Sequence, residues 1–421
     1  MTLERVELFN KKEFLSFILL SLFILSYSLL INFNNYKNLT RFDTFIINAT
    51  VLKQYLKTKD SKSYQVLKLK TDDGITFYTS AKKSFEDATG KELTLEIYTN
   101  HISFYKYMTT FYAYSHIKNI TDIQSMKKKL NSYIASQHTN NGITNIYQAL
   151  FTATPLNKDL QTSFSFLGVS HLLAISGFHL GVLSALLFFI LKPIYSFFQN
   201  RYFPYRNSKS DLFLMVAFSL AVYLIFLDSP PSLLRALTML VIGFILYDRG
   251  IKIISMQTLL LTVILLIAFF PKLLFSLGFW LSVSGVFYIF LFLIHFKHLS
   301  KIWQFILVPF WVYLLMLPYS LVIFGNFSIY HPLSIIWTTL FTLFYPLSIL
   351  LHLIGFGNLL DVVLESFVLL GENQRITLAL NYTWLVLHVL LSIISIFKKS
   401  FIWILLFISF SFLIYAVYHI A

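Results

Sequence analysis

The apolar residues divide the chain into an apolar N-terminal segment, a polar stretch and a long region of repeated apolar runs. The run Phe14–Ile31 has about 18 residues, which suits one transmembrane helix. Arg5, Lys11 and Lys12 precede it and place its N-terminus in the cytoplasm. No small-residue cleavage site follows, so we do not expect a removable signal peptide. We predict a transmembrane anchor at residues 1–33.

Residues 34–120 show the alternation of short β-strands. Leu67 and Leu69 alternate with Lys68 and Lys70, and the Asp-Asp-Gly sequence at 72–74 indicates a hairpin turn. About five such strands are best buried in a small closed barrel of the OB type. We therefore predict an OB-like soluble β-barrel inserted after the first transmembrane helix.

Residues 121–163 are predicted to form connecting helices, the first of them capped by Thr121. Residues 164–421 are predicted to be a polytopic helical domain, which makes the chain mainly α, a membrane helical bundle. The candidate spans are 167–191, 211–228, 232–247, 253–270, 273–294, 302–321, 331–354, 380–397 and 400–420.

Basic residues in the loops orient these spans. With the β-domain outside, the loops holding Arg201 and Lys297 fall inside, as the positive-inside rule requires. If 331–354 crosses the membrane, Lys398 and Lys399 fall outside. We therefore prefer that this segment dips in and returns, and that 358–378 forms an amphipathic surface helix.

Composition agrees with a membrane protein and adds a basic balance. Of the 421 residues, 57% are hydrophobic and 12% charged, with a net charge of +14 and no cysteine. The lack of cysteine excludes disulfides, Cys-ligated zinc and Fe–S clusters. Residues 34–150 carry +7, which suits contact with single-stranded nucleic acid, although lysines also simply solvate small domains. The candidate contacts there are Lys53, Lys57, Lys68, Lys70 and Tyr78.

The stretch 168–181, Gly-Val-Ser-His-Leu-Leu-Ala-Ile-Ser-Gly-Phe-His-Leu-Gly, concentrates polar groups inside an apolar run. Polar groups at membrane depth usually face a cavity, a partner helix or a substrate path. On one continuous helix, His171 and His179 would share a face, with Ser176 between them. A serine hydrolase, a metal site and simple helix packing, which Gly177 and Gly181 would permit, all stay open at this point.

Three further polar residues lie in or near predicted spans. Arg235 sits about one turn into a helix that opens with Pro-Pro-Ser. It can snorkel to the surface, pair with Asp228 or face a phosphate-conducting cavity. Gln257 and Ser282 are weaker candidates, since such residues often only join helices.

The stretch 168–181 resembles the signature of the ComEC family of competence DNA-uptake channels. Pro230-Pro231-Ser232 with Leu234-Arg235-Ala236 resembles that family's Pro-Ser-x-x-Arg-Ala element. Later elements follow in the family's order: Ser255 with Gln257, Phe279–Ser282, Phe324–Ser328 and Pro332-Leu333. Many members also carry a C-terminal β-lactamase-like domain with a His-x-His-x-Asp-His motif. That motif is absent from this sequence, so we expect no nuclease activity from it.

The resemblance implies an inner-membrane channel that passes single-stranded DNA into the cytoplasm during natural transformation. We expect no catalytic residues and no cofactor. The implied partners are single-stranded DNA, the membrane, a periplasmic DNA receptor and a cytosolic translocase, and a homodimer stays open. No nucleotide-binding Gly-x-x-x-x-Gly-Lys-[Ser/Thr] motif occurs, so the driving force must come from elsewhere. An intramembrane Ser/His hydrolase and a secondary transporter of an anionic solute are the alternatives.

Overall fold

The computed structural model describes residues 11–59, 62–122, 125–173, 175–250, 253–371 and 375–420. The chain is mainly helical with a small mixed sheet. It forms two compact units. The first, the β-unit, comprises Phe9–Ser132 and Ile264–Leu277, and the second, the helical unit, comprises Tyr133–Val263 and Gly278–Ala421.

The β-unit begins with a long apolar helix and continues into six strands. Its elements are α1 Lys11–Leu39, β1 Thr44–Lys59, β2 Lys62–Thr71, β3 Thr76–Ala81, β4 Glu92–Tyr98, α2 Phe104–Met108, β5 Phe111–Tyr112 and β6 Ser115–Thr121. The strand order is β5-β3-β2-β1-β4-β6, with every pairing antiparallel except β3 with β5. The predicted strands and the hairpin at 72–74 are confirmed.

Period-two alternation builds the core of this sheet. Leu67 and Leu69 of β2 are fully buried, as are Leu93 and Leu95 of β4, whereas their sequence neighbours point outward. Phe77 of β3 is also fully buried. One face of the sheet is therefore apolar and packed, and the other is left to polar side chains.

The two edges of the sheet are formed by consecutive pieces of chain. Only Ala113 and Tyr114 separate β5, on the β3 edge, from β6, on the β4 edge. The Ala113 N–H donates to the Tyr78 carbonyl (2.8 Å), and the Tyr98 N–H donates to the Tyr114 carbonyl (2.9 Å). The strands form a mixed six-stranded sheet. Its closure into an OB-like barrel stays a prediction.

Helices account for most of the remaining chain. They are α3 Met126–Ala135, α4 Asn141–Thr152, α5 Lys158–Phe166, α6 Ser170–Leu173, α7 Gly177–Tyr202, α8 Ser208–Phe226, α9 Pro231–Asp248, α10 Met256–Phe269, α11 Leu277–His295, α12 Lys301–Ile323, α13 Ser334–Leu353, α14 Asp361–Leu370, α15 Tyr382–Phe397 and α16 Ser400–Tyr418. Two three-residue strands, β7 Asn326–Ser328 and β8 Arg375–Thr377, pair antiparallel. The first helix after the sheet is capped by Ser125, whose Oγ accepts from the Lys128 N–H (3.1 Å). The predicted cap, Thr121, instead ends β6.

Among the described residues, seven helices are long and apolar enough to cross a membrane. They are Lys12–Leu39, Gly177–Tyr202, Ser208–Phe226, Leu277–His295, Lys301–Ile323, His331–Leu353 and Ser400–Tyr418. Helices α10 and α15 are apolar but shorter. The predicted spans match helices to within a few residues, although α9, which corresponds to 232–247, is not among the seven. The exception is the span predicted at 167–191. That boundary is wrong, because the long helix begins at Gly177 and continues to Tyr202.

The pairing of β7 with β8 makes the segment between them an excursion that starts and ends at one place. Phe327 is opposite Ile376, and the Leu378 N–H donates to the Gly325 carbonyl (2.7 Å). Helix α13 is continuous through Pro346, so the return does not occur by a break inside it. The chain turns after Leu353 and comes back through α14. The helix predicted over 358–378 is shorter than expected, because it ends at Leu370 and β8 follows.

We expect Gly325→Ala to destabilise the helical unit by preventing this closure. Gly325 has φ +69°, and a Cβ there would lie 2.5 Å from the Leu378 carbonyl oxygen. Gly355 is the matched control, since it also has a positive φ (+84°) but nothing lies within 4 Å of an added Cβ. Gly355→Ala should cost only the conformational penalty of about 1–2 kcal/mol. Thermal unfolding in lipid nanodiscs should give a clearly lower midpoint for Gly325→Ala, and equal midpoints would contradict this account.

Candidate functional site

The polar stretch 168–181 is not one helix. Helix α6 ends at Leu173 and α7 begins at Gly177, with Ser176 in an extended conformation (φ −123°, ψ 176°) as its N-cap. The expectation that His171 and His179 share a helix face is therefore wrong, because the helix is interrupted between them. We call Ile175 and Ser176, the described residues between the two helices, the helix break.

Ser176 and His179 cap the helix that follows the break. Ser176 Oγ accepts from the Phe178 N–H (3.3 Å), and the Ser176 N–H donates to His179 Nδ1 (3.2 Å). This is a capping box, which satisfies backbone donors that a broken helix leaves open. Because Nδ1 accepts a hydrogen bond here, the neutral ring carries its hydrogen on Nε2. That Nε2 is buried and makes no well-formed hydrogen bond to a described residue, although the Leu172 carbonyl lies near the ring.

The first turn of α9 packs against the break. Ser232 Oγ donates to the Ile175 carbonyl (2.5 Å), and so satisfies an acceptor freed by the interruption. A Cβ added to Gly177 would lie 3.2 Å from Ala236 Cβ, so the glycine permits close approach. Gly181 has nothing within 4 Å of an added Cβ, and its predicted packing role gains no support.

Helix α13 and the turn before it form another wall of the site. His171 Nε2 lies 3.3 Å from Thr338 Oγ1, and the His179 ring packs edge-on against Phe341 and Tyr345 at 5.1 and 4.8 Å. Gly168 has φ +71°, and a Cβ there would lie 2.7 Å from the His331 ring, so this position requires glycine.

His331 is a site residue that sequence reasoning missed. Its Nδ1 lies 3.1 Å from Tyr313 Oη, and its Nε2 is buried without a partner among the described residues. Its only sequence signal is a lone histidine at the start of an apolar run, and this pattern does not by itself indicate a site.

Arg235 is buried beside the start of α11. Only 2% of its surface is exposed, which contradicts snorkelling. Its Nη1 donates to the carbonyls of Gly278 (3.3 Å) and Phe279 (3.5 Å), and the guanidinium lies 5.8 Å from the Phe279 ring centroid. No carboxylate of the described chain, Asp228 included, lies within 4.0 Å of it. The arginine therefore has acceptors but no counter-ion.

The other two predicted residues are less constrained. Ser282 lies in the same turn of α11 as Phe279 and is half-buried, whereas Gln257 is exposed near the start of α10. Neither contacts the helix break in the interactions that the structure describes.

The outward face of the β-unit holds a row of cationic and aromatic side chains that crosses four strands. Lys53 of β1 is opposite Lys68 of β2, which is opposite Tyr78 of β3, which pairs with Tyr112 of β5. Lys68 Nζ lies 5.9 Å from the Tyr78 ring centroid. A bulge after Val51 sets Lys53 on this face. Lys70 lies on the same face two residues from Lys68, and Lys57 is exposed further along β1.

Comparison with known proteins places the helical unit in one family. A model of the Competence protein family matches residues 153–420, more than half of the chain. This chain belongs to the Competence protein family. It is also 31% identical to ComE operon protein 3 of Bacillus subtilis (strain 168) over 230 residues, which take in 52% of this chain and 28% of that relative. No solved structure matches.

The chain spans little more than a quarter of that relative's length. Its apolar helices and its family indicate a multi-pass membrane protein. The matched region contains the helix break, Arg235 and α13. The structure brings together elements that resemble ComEC, since the helix break and the Pro-Ser-x-x-Arg-Ala element pack against each other.

A Ser/His hydrolase fits this geometry poorly. Ser176 Oγ does lie 3.2 Å from His179 Nδ1. However, Nδ1 already accepts a backbone hydrogen bond, and no described carboxylate meets Nε2 to orient the ring. The pair is accounted for as a helix cap.

We expect Ser176→Asn to keep the function that Ser176→Ala loses in part. Asparagine caps a helix as well as serine does, while alanine at an N-cap costs about 1 kcal/mol. Asparagine is also no nucleophile, so it separates a cap from a hydrolase. Thermal stability and transformation frequency should follow the order wild type, then Asn, then Ala. Loss of function in Ser176→Asn with unchanged stability would contradict a capping role.

Proposed function

We propose that this protein is an inner-membrane channel for single-stranded DNA, with the β-unit on the periplasmic side. The observation that carries the proposal is the buried Arg235, which pairs with no carboxylate of the described residues and lies beside a broken helix. A charged side chain inside a membrane domain is costly, and such residues usually mark a substrate path. Membership in the competence family supports DNA as the substance handled.

DNA phosphates require a polar path between helices. The strand carries one negative charge per nucleotide, so it cannot pass through lipid. Arg235 supplies a planar fork of donors that suits phosphate oxygens. The Nε2–H of His179 supplies a buried donor that makes no well-formed hydrogen bond to a described residue. We propose that these groups line or shape the constriction, with His171, Ser176, Gly177, Gly181, Gln257 and Ser282 as further candidates.

Two sets of contacts support the proposed orientation. In the helical unit, Lys399 Nζ lies 5.1 Å from the Phe296 ring, so the Lys398–Lys399 turn is at the same end as the basic α11–α12 loop. That end suits the cytoplasm. In the β-unit, Lys272 Nζ lies 4.6 Å from the Tyr107 ring centroid, and Phe275 packs against Tyr105. These contacts support the same membrane side for the α10–α11 connection and the sheet.

We further propose that the sheet closes into an OB-like barrel. If β5 and β6 count as one strand, each strand has two neighbours, and the order runs β1-β2-β3-β5/β6-β4 and back to β1. Thr79 Oγ1 of β3 lies 2.6 Å from Ser115 Oγ of β6, which supports contact between the two edges. Full pairing of edges protects a small sheet from association with other chains.

The outward row of the β-unit is the proposed receiving surface for the strand. Lysines neutralise phosphates, and tyrosine rings stack on bases regardless of sequence. Lys53, Lys68 and Tyr78 lie side by side across three strands, so a strand laid across the sheet meets charge and aromatic faces together.

The energy for import must come from a partner. Moving negative charge into a negative interior costs about 2.3 kcal/mol per charge per 100 mV. We therefore propose a pulling cytosolic translocase and a periplasmic DNA receptor as partners. Deletion of the gene should leave DNA in the periplasm and abolish cytoplasmic delivery. Normal cytoplasmic delivery would exclude the channel.

We expect Arg235→Gln to lower transformation by about 10- to 100-fold, the range of one lost charge-assisted hydrogen bond. Periplasmic DNA should accumulate normally, because the defect lies in the membrane step. Arg235→Lys keeps the charge but loses the fork and should be intermediate. Arg249→Gln, which removes an exposed arginine just after α9, is the matched control. Equal transformation by Arg235→Gln and Arg249→Gln at equal protein levels would contradict the role.

We expect the double variant Lys53→Gln with Lys68→Gln to weaken binding of single-stranded DNA to the full chain in nanodiscs. The slope of log affinity against log salt should fall in magnitude by about 1.4, since each lost phosphate contact contributes about 0.7. Lys82→Gln with Lys83→Gln removes the same charge from an exposed turn outside the row. An equal change in both double variants would show that only net charge matters.

A further inference from the structure

A second polar cluster lies apart from the helix break, at the far end of α13. His138 follows α3, His352 lies in the last turn of α13, and Asp361 begins α14. His138 Nδ1 lies 3.0 Å from both Asp361 carboxylate oxygens, and His138 Nε2 lies 3.0 Å from His352 Nε2. His352 Nδ1 lies 2.7 Å from the Ser348 carbonyl oxygen. The four groups form one hydrogen-bonded chain.

The number of protons in this chain follows from its acceptors. The Ser348 carbonyl only accepts, so His352 Nδ1 carries a hydrogen. A carboxylate only accepts, so His138 Nδ1 also carries one, and one of the two facing Nε2 atoms must donate to the other. Two neutral imidazoles carry two ring N–H hydrogens in total, whereas this series of hydrogen bonds needs three. If Asp361 rather than a histidine holds the extra proton, the total number of protons in the cluster is the same.

The surroundings suit one shared positive charge. Asp361 supplies the counter-charge, and the Tyr147 ring stacks on His138 with centroids 4.6 Å apart. Aromatic faces stabilise adjacent cations. His138 and His352 are both buried. Burial raises the pKa of the Tyr147 phenol, and Asp361 raises it further, so this group stays neutral.

Few other titratable groups face the cluster from the elements packed against it. Tyr133 of α3 donates from Oη to the His352 carbonyl (2.9 Å). Glu365 of α14 is engaged by Asn140 Nδ2 (2.9 Å). Within the described chain, the charged groups to consider are therefore Asp361 and Glu365.

We propose that His138, His352 and Asp361 form a proton-binding site that latches the end of α3 onto α13 and α14. Gln137 belongs to the same latch, since its Nε2 donates to the His352 carbonyl (3.1 Å) and its Oε1 accepts from the Gly357 N–H (2.8 Å). Without the extra proton, two Nε2 acceptors would face each other at 3.0 Å. The latch also bears on the helix break, because α13 carries the side chains that contact His171 and His179.

The proton count predicts a bell-shaped pH dependence of latch stability. Counted relative to two neutral imidazoles, the closed latch holds one extra proton. The open, solvated rings hold two protons well below pH 6.5 and none well above it, around the ordinary histidine pKa of about 6.5. Closure therefore releases a proton in acid and takes one up in alkali. Latch stability should peak near pH 6.5 and change by up to tenfold in the opening equilibrium per pH unit on either side.

The single variants should each remove one side of the bell. In His138→Gln the remaining His352 is neutral when the latch is closed. Latch stability should therefore still fall in acid but no longer in alkali. In His352→Gln the remaining His138 keeps its proton beside Asp361 when the latch is closed. Latch stability should therefore still fall in alkali but no longer in acid. Glu365→Gln leaves the proton count unchanged and should keep the whole bell.

Hydrogen–deuterium exchange of the full chain in nanodiscs tests this. The reporter is the Gly357 amide, whose N–H bonds Gln137 only in the closed latch. Rates measured from pH 5 to 8.5 and corrected for intrinsic exchange should be slowest near pH 6.5. Amides of β4 supply the internal control, which should show no such minimum. A flat corrected profile for wild type, or histidine variants with the wild-type profile, would overturn the proposal.

Discussion

Polar groups inside an apolar helical domain must find partners within the protein, and this requirement organises the structure. The helix break exposes backbone donors and acceptors that lipid cannot satisfy. Ser176 and His179 satisfy donors, and Ser232 satisfies the Ile175 carbonyl. The break is therefore stable only because α9 and the capping residues meet it, which fixes α6, α7 and α9 relative to one another.

The same requirement explains why the excursion through α13 and α14 closes on itself. Non-helical chain at 324–330 and 375–380 has backbone groups to satisfy, and the β7–β8 pairing satisfies part of them. Closure brings α13 against both the break and the end of α3. One helix thus contacts two polar clusters, with His171 and His179 near its beginning and His138 at its end. A change at one end of α13 has a direct structural route to the other.

Much of the fold was predictable because its signals are local. Apolar runs of membrane length predicted most helices, and alternation around Leu67 and Leu69 predicted the sheet. The errors arose where a local pattern had two solutions. The run from 167 to 191 is apolar enough for one span, yet the chain breaks inside it, since Ser176 can cap a helix as well as sit within one. Thr121 fits the pattern of a helix N-cap, but in the structure it ends β6 and pairs with β4. Pairing a strand edge satisfies more backbone groups than capping one helix.

By itself the sequence determined the membrane class, the basic stretch of β-strands and the motif that resembles the competence family, because composition, run length and short-range spacing carry this information. The tertiary structure decided what the polar residues do. It made Ser176 and His179 a cap, buried Arg235 against carbonyls and added His331 to the site. It also joined His138, His352 and Asp361, which are separated by up to 223 positions along the chain. Such pairings depend on which helices pack together, and no spacing along a chain encodes contacts made at that range.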